Sequence, residues 1–260
     1  MPRAQSLDEV RARLEQDRVW AAFSLADLEP EHQPYTYWFT GTSPESLVLV
    51  YRRFDPPIVF CQGATEDVGA ILDEPEVVSL TASAHFNVVP ALVPTIRARF
   101  RSFSARPMVR MVLPASQDAS VSHVRAAHDE PRVERLGASD LPAVQALYAD
   151  DPPGFFLPML LDVGVYFGVR VDGALVAIAG THVVSVQHGV GTIGNVYTRP
   201  DHRQRGLAGV LTTAVARELR RMGASTVVLN VVSDNVAARR VYRRIGFDEY
   251  CHYLDGNAVR

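Results

Sequence analysis

The stretch from Asn195 to Gly209, Asn-Val-Tyr-Thr-Arg-Pro-Asp-His-Arg-Gln-Arg-Gly-Leu-Ala-Gly, limits what this chain can fold into more than any other. A β-branched and aromatic run over 192–198 reads as a strand and stops at Pro200. From Leu207 onward, apolar residues at Leu207, Val210, Leu211, Ala214, Val215, Leu219 and Met222 recur at helical spacing. The arginine-rich connection ends in Gly206, Ala208 and Gly209, which carry little or no side chain. The first turn of a helix has N–H groups without intrahelical acceptors and the positive end of the dipole. Small residues let an anion reach those groups, and arginines add charge. The pattern predicts a strand–loop–helix that holds a phosphate or pyrophosphate.

Composition narrows the chemistry. All 26 basic residues are arginine, which removes a lysine-dependent phosphate loop, a pyridoxal-phosphate Schiff base and every other mechanism that needs a lysine. A net charge of −3 gives no reason to expect nucleic-acid binding by bulk electrostatics. The alternating arginines of Arg97-Ala98-Arg99-Phe100-Arg101 fit a half-exposed strand rather than a nucleic-acid surface. Cys61 and Cys251 make no metal spacing, and no third ligand joins His182 and His188, so no metal is expected. The first residues lack the apolar core of a signal peptide, and no apolar run is long enough to span a bilayer. The expectation is a reduced, cytoplasmic protein without a membrane partner.

At 260 residues there is room for two domains. In the first half, 6–28 reads as one or two helices and 35–40, 47–54 and 58–61 as strands. A short helix at 66–72, a strand at 77–80, a helix at 84–93 and a hairpin over 97–103 and 108–113 follow. The second half reads as a strand at 132–136, helices at 140–149 and 155–161, and strands at 165–171, 174–184 and 191–198. After them come the helix from Leu207, a strand at 226–231, a helix at 235–245 and a last strand or hairpin near 247–254. The matched order predicts a tandem repeat of one α/β (α+β) unit. Its domains are 1–120 and 132–260, joined by a polar linker at 121–131. Where the second half has its phosphate loop, the first has Gln62-Gly63-Ala64-Thr65-Glu66-Asp67. Two carboxylates there either repel a pyrophosphate or simply favour a helix N-terminus.

Arg203-Gln204-Arg205-Gly206-Leu207-Ala208 fits the (Gln/Arg)-x-x-Gly-x-(Gly/Ala) signature of the GNAT superfamily of N-acetyltransferases, which the sequence resembles over about half its length, 132–255. Leu229-Asn230-Val231-Val232-Ser233-Asp234-Asn235, with Tyr242 to Phe247 after it, is similar to the closing motif of that superfamily. The strand Asn-Val-Tyr-Thr resembles the glycine-N-acyltransferase-like branch, whose N-terminal half is itself a worn copy of the fold. The resemblance implies a tandem GNAT-like fold, each half a mixed, mainly antiparallel twisted sheet flanked by helices. It also implies acetyl transfer from acetyl-CoA to a primary amine of a small, amino-acid-like molecule, directly in a ternary complex.

Carried over residue by residue, the resemblance places the cofactor on Arg203, Gln204, Arg205, Gly206, Leu207, Ala208 and Gly209. Its pantetheine arm pairs with the backbone of Val196, Tyr197 and Thr198, where the strand splays from its neighbour. Asn235 either bonds the cofactor or caps a helix. Tyr242 falls at the position of the phenol beside the thioester sulfur, able to protonate a leaving thiolate; alternatively it packs in the core. Where many members carry a glutamate base, this chain has Asn230, and an amide cannot take a proton at neutral pH. His182, Tyr166 and Asp162 are the candidate bases, while Asn195 and Asn230 are candidates for orienting the acceptor. The missing glutamate also fits a non-catalytic acyl-CoA-binding module.

Overall fold

The computed structural model describes residues 3–116, 132–149, 151 and 155–260. Packing divides the chain into two compact units. One comprises Met1–Arg110, Val231–Asp234 and Tyr250–Arg260, the other Met111–Asn230 and Asn235–Glu249. The expected linker at 121–131 lies outside the described residues.

In the first unit α1 (Leu7–Leu14) begins at Ser6, whose hydroxyl accepts from Glu9 N–H, as its sequence predicts. After α2 (Ala22–Ala26), strands β1 (Thr36–Thr40), β2 (Leu47–Tyr51) and β3 (Ile58–Gln62) form an antiparallel meander. Helices α3 (Thr65–Leu72) and α4 (Pro75–Leu80) then cross over to β4 (Ser83–Val88), which lies parallel to β3. Then come α5 (Val93–Arg97) and β5 (Ser102–Leu113).

Three expectations for this half fail. The strand expected at 77–80 is helix α4, because Pro75 occupies the first turn, where its fixed φ suits a helix. The helix expected at 84–93 is strand β4, whose Ala84, Phe86 and Val88 are buried in alternation with Ser83, His85 and Asn87. The hairpin expected over 97–113 is helix α5 followed by one continuous strand.

The second unit holds β6 (Val133–Arg135), α6 (Leu141–Leu147), α7 (Leu160–Val163), β7 (Phe167–Val171), β8 (Ala174–Ser185) and β9 (Val190–Thr198). Next are α8 (Leu207–Arg221), β10 (Thr226–Val232) and α9 (Val236–Arg244). Only the end of the helix expected at 155–161 is helical, as part of α7. Here too three antiparallel strands, β7, β8 and β9, lead through a helix to a parallel strand, β10. With the corrections above, β1-β2-β3-α3-α4-β4-α5-β5 shares its order of strands and helices with β7-β8-β9-α8-β10-α9 and the strand after α9. The last strand, β11 (Asp248–Val259), contributes most of its length to the first unit and pairs antiparallel with β4 from Leu254↔Val88 to Val259↔Ser83.

The counterpart of the phosphate loop in the first unit is filled by the protein itself. Ser46 lies so close to Gly63 that a Cβ there would sit 2.4 Å from its Cα, and its hydroxyl accepts from Ala64 N–H at 3.0 Å. Asp67, in the first turn of α3, turns its carboxylate to the β1–β2 turn. There it accepts from the Thr42 hydroxyl at 2.7 Å and from Ser43 N–H at 2.8 Å. Trp20 donates its indole N–H to the Cys61 carbonyl at the end of β3, 3.2 Å away. Thus the carboxylate at 67 has a structural use, and side chains fill the space over Gly63 and cover the Cys61 carbonyl.

Those hydrogen bonds hold the Asp67 carboxyl well below the usual carboxylate range. A group with a depressed folded-state pKa stabilises above its unfolded pKa, about 3.9, and loses that contribution as pH falls. Asp67→Ala is expected to melt below wild type at pH 7, with the gap closing as pH drops below about 4; thermal melts at pH 7, 4 and 2.5 check this.

Candidate active site

Helix α8 presents one apolar stripe: Leu207, Leu211, Val215 and Leu219 are all buried. Leu219 lies over Gly191 of β9, where a Cβ would come within 2.7 Å of its side chain. The helix ends at Gly223 (φ 99°), which supplies the left-handed turn after it. At the other end, Gln204 (φ 63°) and Gly206 (φ 78°) take the same left-handed conformation, turning the exposed loop into the helix. The first N–H bonded within this turn is that of Val210, to Gly206 O. The amides of Leu207, Ala208 and Gly209 precede it and belong to the first turn, whose N–H groups lack helical acceptors.

A Cβ at Gly209 would meet Val241 of α9 and Ile245 just after it at 3.4 and 3.7 Å, an ordinary contact distance, so this packing alone does not require glycine. Arg203 is tied back to β9: its Nε donates to Thr198 O at 3.0 Å, and its guanidinium lies 6.0 Å from the Tyr197 ring. A cavity of about 410 Å³ opens beside these two residues, with Ala143, Leu147, Leu175 and Arg170 in its wall. Arg205 bonds Asp201 O, and Arg199 grips the Asp201 carboxylate.

The decisive geometry lies in β9. Its parallel register with β10 runs from Val190↔Thr226 to Ile193↔Leu229 and stops, although β9 continues to Thr198. Asn230 would be the next partner, opposite Gly194. On its other side β9 stays paired with β8, but two register shifts interrupt the ladder. One leaves Asn195 as a bulge in the left-handed region (φ 53°); the other falls at His182. Between them Gly180 and Gly194 face each other across the strands. Each makes room for a ring: a Cβ at Gly180 would lie 2.1 Å from the Tyr166 ring, and one at Gly194 2.2 Å from His182 Nε2.

Three residues predicted separately therefore meet. Asn195 Nδ2 donates to Tyr166 Oη at 2.7 Å, and His182 Nε2 lies 3.3 Å from Asn195 Oδ1. The Tyr166 hydroxyl donates to Thr181 O at 2.8 Å. Sequence reasoning missed Tyr148, whose hydroxyl donates to Asn195 O at 2.8 Å, and Phe155, whose ring meets His182 edge-on at 5.6 Å. The available clue was a glycine inside each of two adjacent strands, which marks a bulge or a close approach.

Burial raises the Tyr166 phenol far above its ordinary pKa, and its proton is already committed to Thr181, so it is a poor proton acceptor. Burial pulls the His182 pKa down, against a smaller upward effect of Asn195, which favours neutral imidazole. Asp162 is exposed on α7. Tyr242 is buried on α9, and desolvation pushes its phenol up to about 12, so it keeps its proton at neutral pH. Asn235 caps α9, its Oδ1 accepting from Ala238 N–H at 3.0 Å, the second of the two roles anticipated for it. Among the described residues no cluster of His, Cys, Asp and Glu could hold a metal, and no helix is long and apolar enough to cross a membrane.

Residues 167–254 match the family model described as FR47-like protein. A mycothiol acetyltransferase of Streptomyces avermitilis is 35% identical over 141 residues, 54% of this chain and 42% of that protein. One from Rhodococcus jostii is 30% identical over 165 residues, 56% and 52% of the two chains. The chain spans about half the length of the curated relatives it matches. Among solved structures, a putative acetyltransferase from the GNAT family of Novosphingobium aromaticivorans aligns with a TM-score of 0.58 at 19% identity, over 92% of this chain and 96% of that one. A GCN5-related N-acetyltransferase from Kribbella flavida gives 0.58 at 18%, over 97% and 96%. These two share the fold.

The ring over Gly180 sets a stability test. Gly180→Ala is expected to cost about 1–3 kcal/mol by overpacking against Tyr166. In the double variant with Tyr166→Ala the two losses are expected to be less than additive, as urea unfolding of the cycle will show.

Proposed function

We propose that this chain, a member of the GNAT superfamily, is an acetyl-CoA-dependent N-acetyltransferase acting on the primary amine of a small, amino-acid-like molecule by direct transfer in a ternary complex. The observation that carries the reading is the end of the β9–β10 register at Ile193, followed directly by a bulge and then by the left-handed loop into α8. A strand edge released in this way offers main-chain donors and acceptors to an extended amide-bearing arm. We assign that part to Val196, Tyr197 and Thr198. Backbone N–H groups from Gln204 to Gly209 hold the diphosphate, with Arg203 and Arg205 adding charge and Asn235 bordering the arm.

Acetyl-CoA supplies the activated acyl carbon. The protein's part begins with orientation, which replaces a bimolecular encounter. A backbone N–H near Val196 stabilises the charge that develops on the carbonyl oxygen. Tyr242 protonates the departing sulfur. With its phenol at about 12, it stays a donor across the neutral range, so it imposes no alkaline limb below pH 10.

The relatives' name, mycothiol acetyltransferase, makes amines related to mycothiol the first acceptors to try, beside free amino acids. A second reading, a non-catalytic acyl-CoA-binding module, is favoured by Asn230 alone, an amide at the mouth of the opening. A thiol-release screen across amines decides between them.

Calorimetry with acetyl-CoA is expected to give saturable binding that Gly206→Glu abolishes, since the left-handed backbone and the added carboxylate both oppose it. Tyr242→Phe is expected to lower kcat by about 10²-fold or more with Kd for acetyl-CoA nearly unchanged. Unimpaired turnover in Tyr242→Phe would remove its acid role.

A further inference from the structure

The arginines of α9 fall into two stripes with opposite fates. Arg239 and Arg243 share Glu249, whose carboxylate accepts from both. Arg240 and Arg244 are exposed, and neither has a hydrogen bond or an ion pair among the described residues. Four positions apart, they leave the helix on one side. Each directly precedes a residue that lies against the first turn of α8, Val241 or Ile245, both within contact distance of a Cβ at Gly209. Tyr242 is buried on the opposite flank of that contact, so Arg240 and Arg244 border it on the solvent side. Two more guanidinium groups belong to the loop that enters α8. Arg203 and Arg205 are exposed and donate to main-chain carbonyls, Thr198 O and Asp201 O, so among the described residues no carboxylate balances them. Four uncompensated cations thus surround a helix N-terminus, itself the positive end of a dipole. Like charges so placed repel one another, and an anion relieves them. A cation in the last turn of a helix complements that helix's own dipole, which accounts for Arg244 but not for Arg240, a turn earlier.

A diphosphate uses only part of this charge, since each of its phosphates carries one negative charge. Coenzyme A has a further phosphate, the monoester on the ribose 3′ oxygen, which bears a charge of about −1.5 to −2 at pH 7. Only the C5′, C4′ and C3′ carbons separate it from the diphosphate. With the diphosphate on the first turn of α8, the monoester therefore falls within a side chain's length of that turn. From this we infer that Arg240 and Arg244 bind the ribose 3′-phosphate of acetyl-CoA and make the site selective for it over thioesters that lack this group. The inference rests on the acetyl-CoA-dependent reading above. Guanidinium suits the task, because its planar fork sets two N–H donors against two phosphate oxygens and keeps its charge at any physiological pH. The two arginines act on binding alone, far from the reacting carbonyl.

Calorimetry on the full chain at pH 7.5, with acetyl-CoA and with its 3′-dephospho form, tests this. Wild type is expected to bind acetyl-CoA at least about tenfold more tightly than the dephospho form. The double variant Arg240→Gln, Arg244→Gln is expected to bring the two Kd values to within about twofold of each other, by weakening acetyl-CoA and leaving the dephospho form nearly unchanged. Equal Kd values in wild type would overturn the selectivity, whatever the variant does. An undiminished preference in the double variant would overturn the assignment to these two arginines. Either result leaves the transferase standing. A wild type that binds neither compound would overturn the inference and the acetyl-CoA reading together.

Discussion

Everything in the second unit depends on β9 leaving β10 after Ile193. A parallel strand in a sheet interior normally satisfies its backbone on both sides, and an unpaired main-chain group costs about as much as a lost hydrogen bond. Here side chains take over part of the work. Tyr148 donates to Asn195 O, and Arg203 donates to Thr198 O. The strand therefore keeps its course beyond the last pair with β10 while its edge remains turned toward the opening. Asn195 at φ 53° is the hinge of this arrangement, and asparagine is among the few side chains that accept such a backbone.

The first unit shows what happens when the same order of elements is relieved of that duty. Strand β3 also runs parallel to its partner β4 for only part of its length, from Ile58↔His85 to Phe60↔Asn87. Beyond that point Trp20 takes the Cys61 carbonyl, Ser46 fills the space over Gly63, and Asp67 fastens the β1–β2 turn to α3. The Cys61 carbonyl, the space over Gly63 and the Ala64 N–H each meet a side chain here. The comparison separates two properties that a repeat inherits together: the fold survives in both halves, and the open edge survives in one.

Much of this was legible in the sequence. The loop from Arg203 to Gly206 and the helix after it follow from glycine, arginine and a 3.6-residue period, all local in the chain. The repeat was legible because strand and helix order survives divergence. Short elements were misread where a single proline, Pro75, outweighed the β-branched Val77 and Val78, and where Ala84 to Val88 alternated too briefly to declare itself. The meeting of Tyr166, His182 and Asn195 was not legible as a unit, because it depends on register. Two bulges shift β8 against β9, and no local pattern states which residues then face each other.

The faces of β9 give the proposed chemistry its geometry. Gly191 lies under Leu219 of α8, and Gly194, three residues on, lies under His182, so strand alternation puts them on opposite sides. Helix α9, which carries Tyr242, packs against α8 through Gly209 and Val241. Tyr148, Tyr166 and Leu147 share a core with α6 on the other side. The proposed acid therefore approaches β9 with the α8–α9 layer, and the linked Tyr166, Asn195 and His182 lie on the side of α6. A sheet with an unbroken ladder would keep the two apart, since its backbone is a wall to any reacting group. An interrupted ladder is what would let groups from the two faces reach one bound molecule. On this view the bulges at His182 and Asn195 are no relaxation of an ideal strand. They bring Tyr166 and His182 to adjacent positions on one face, and the glycines at 180 and 194 are what allow the rings to lie there.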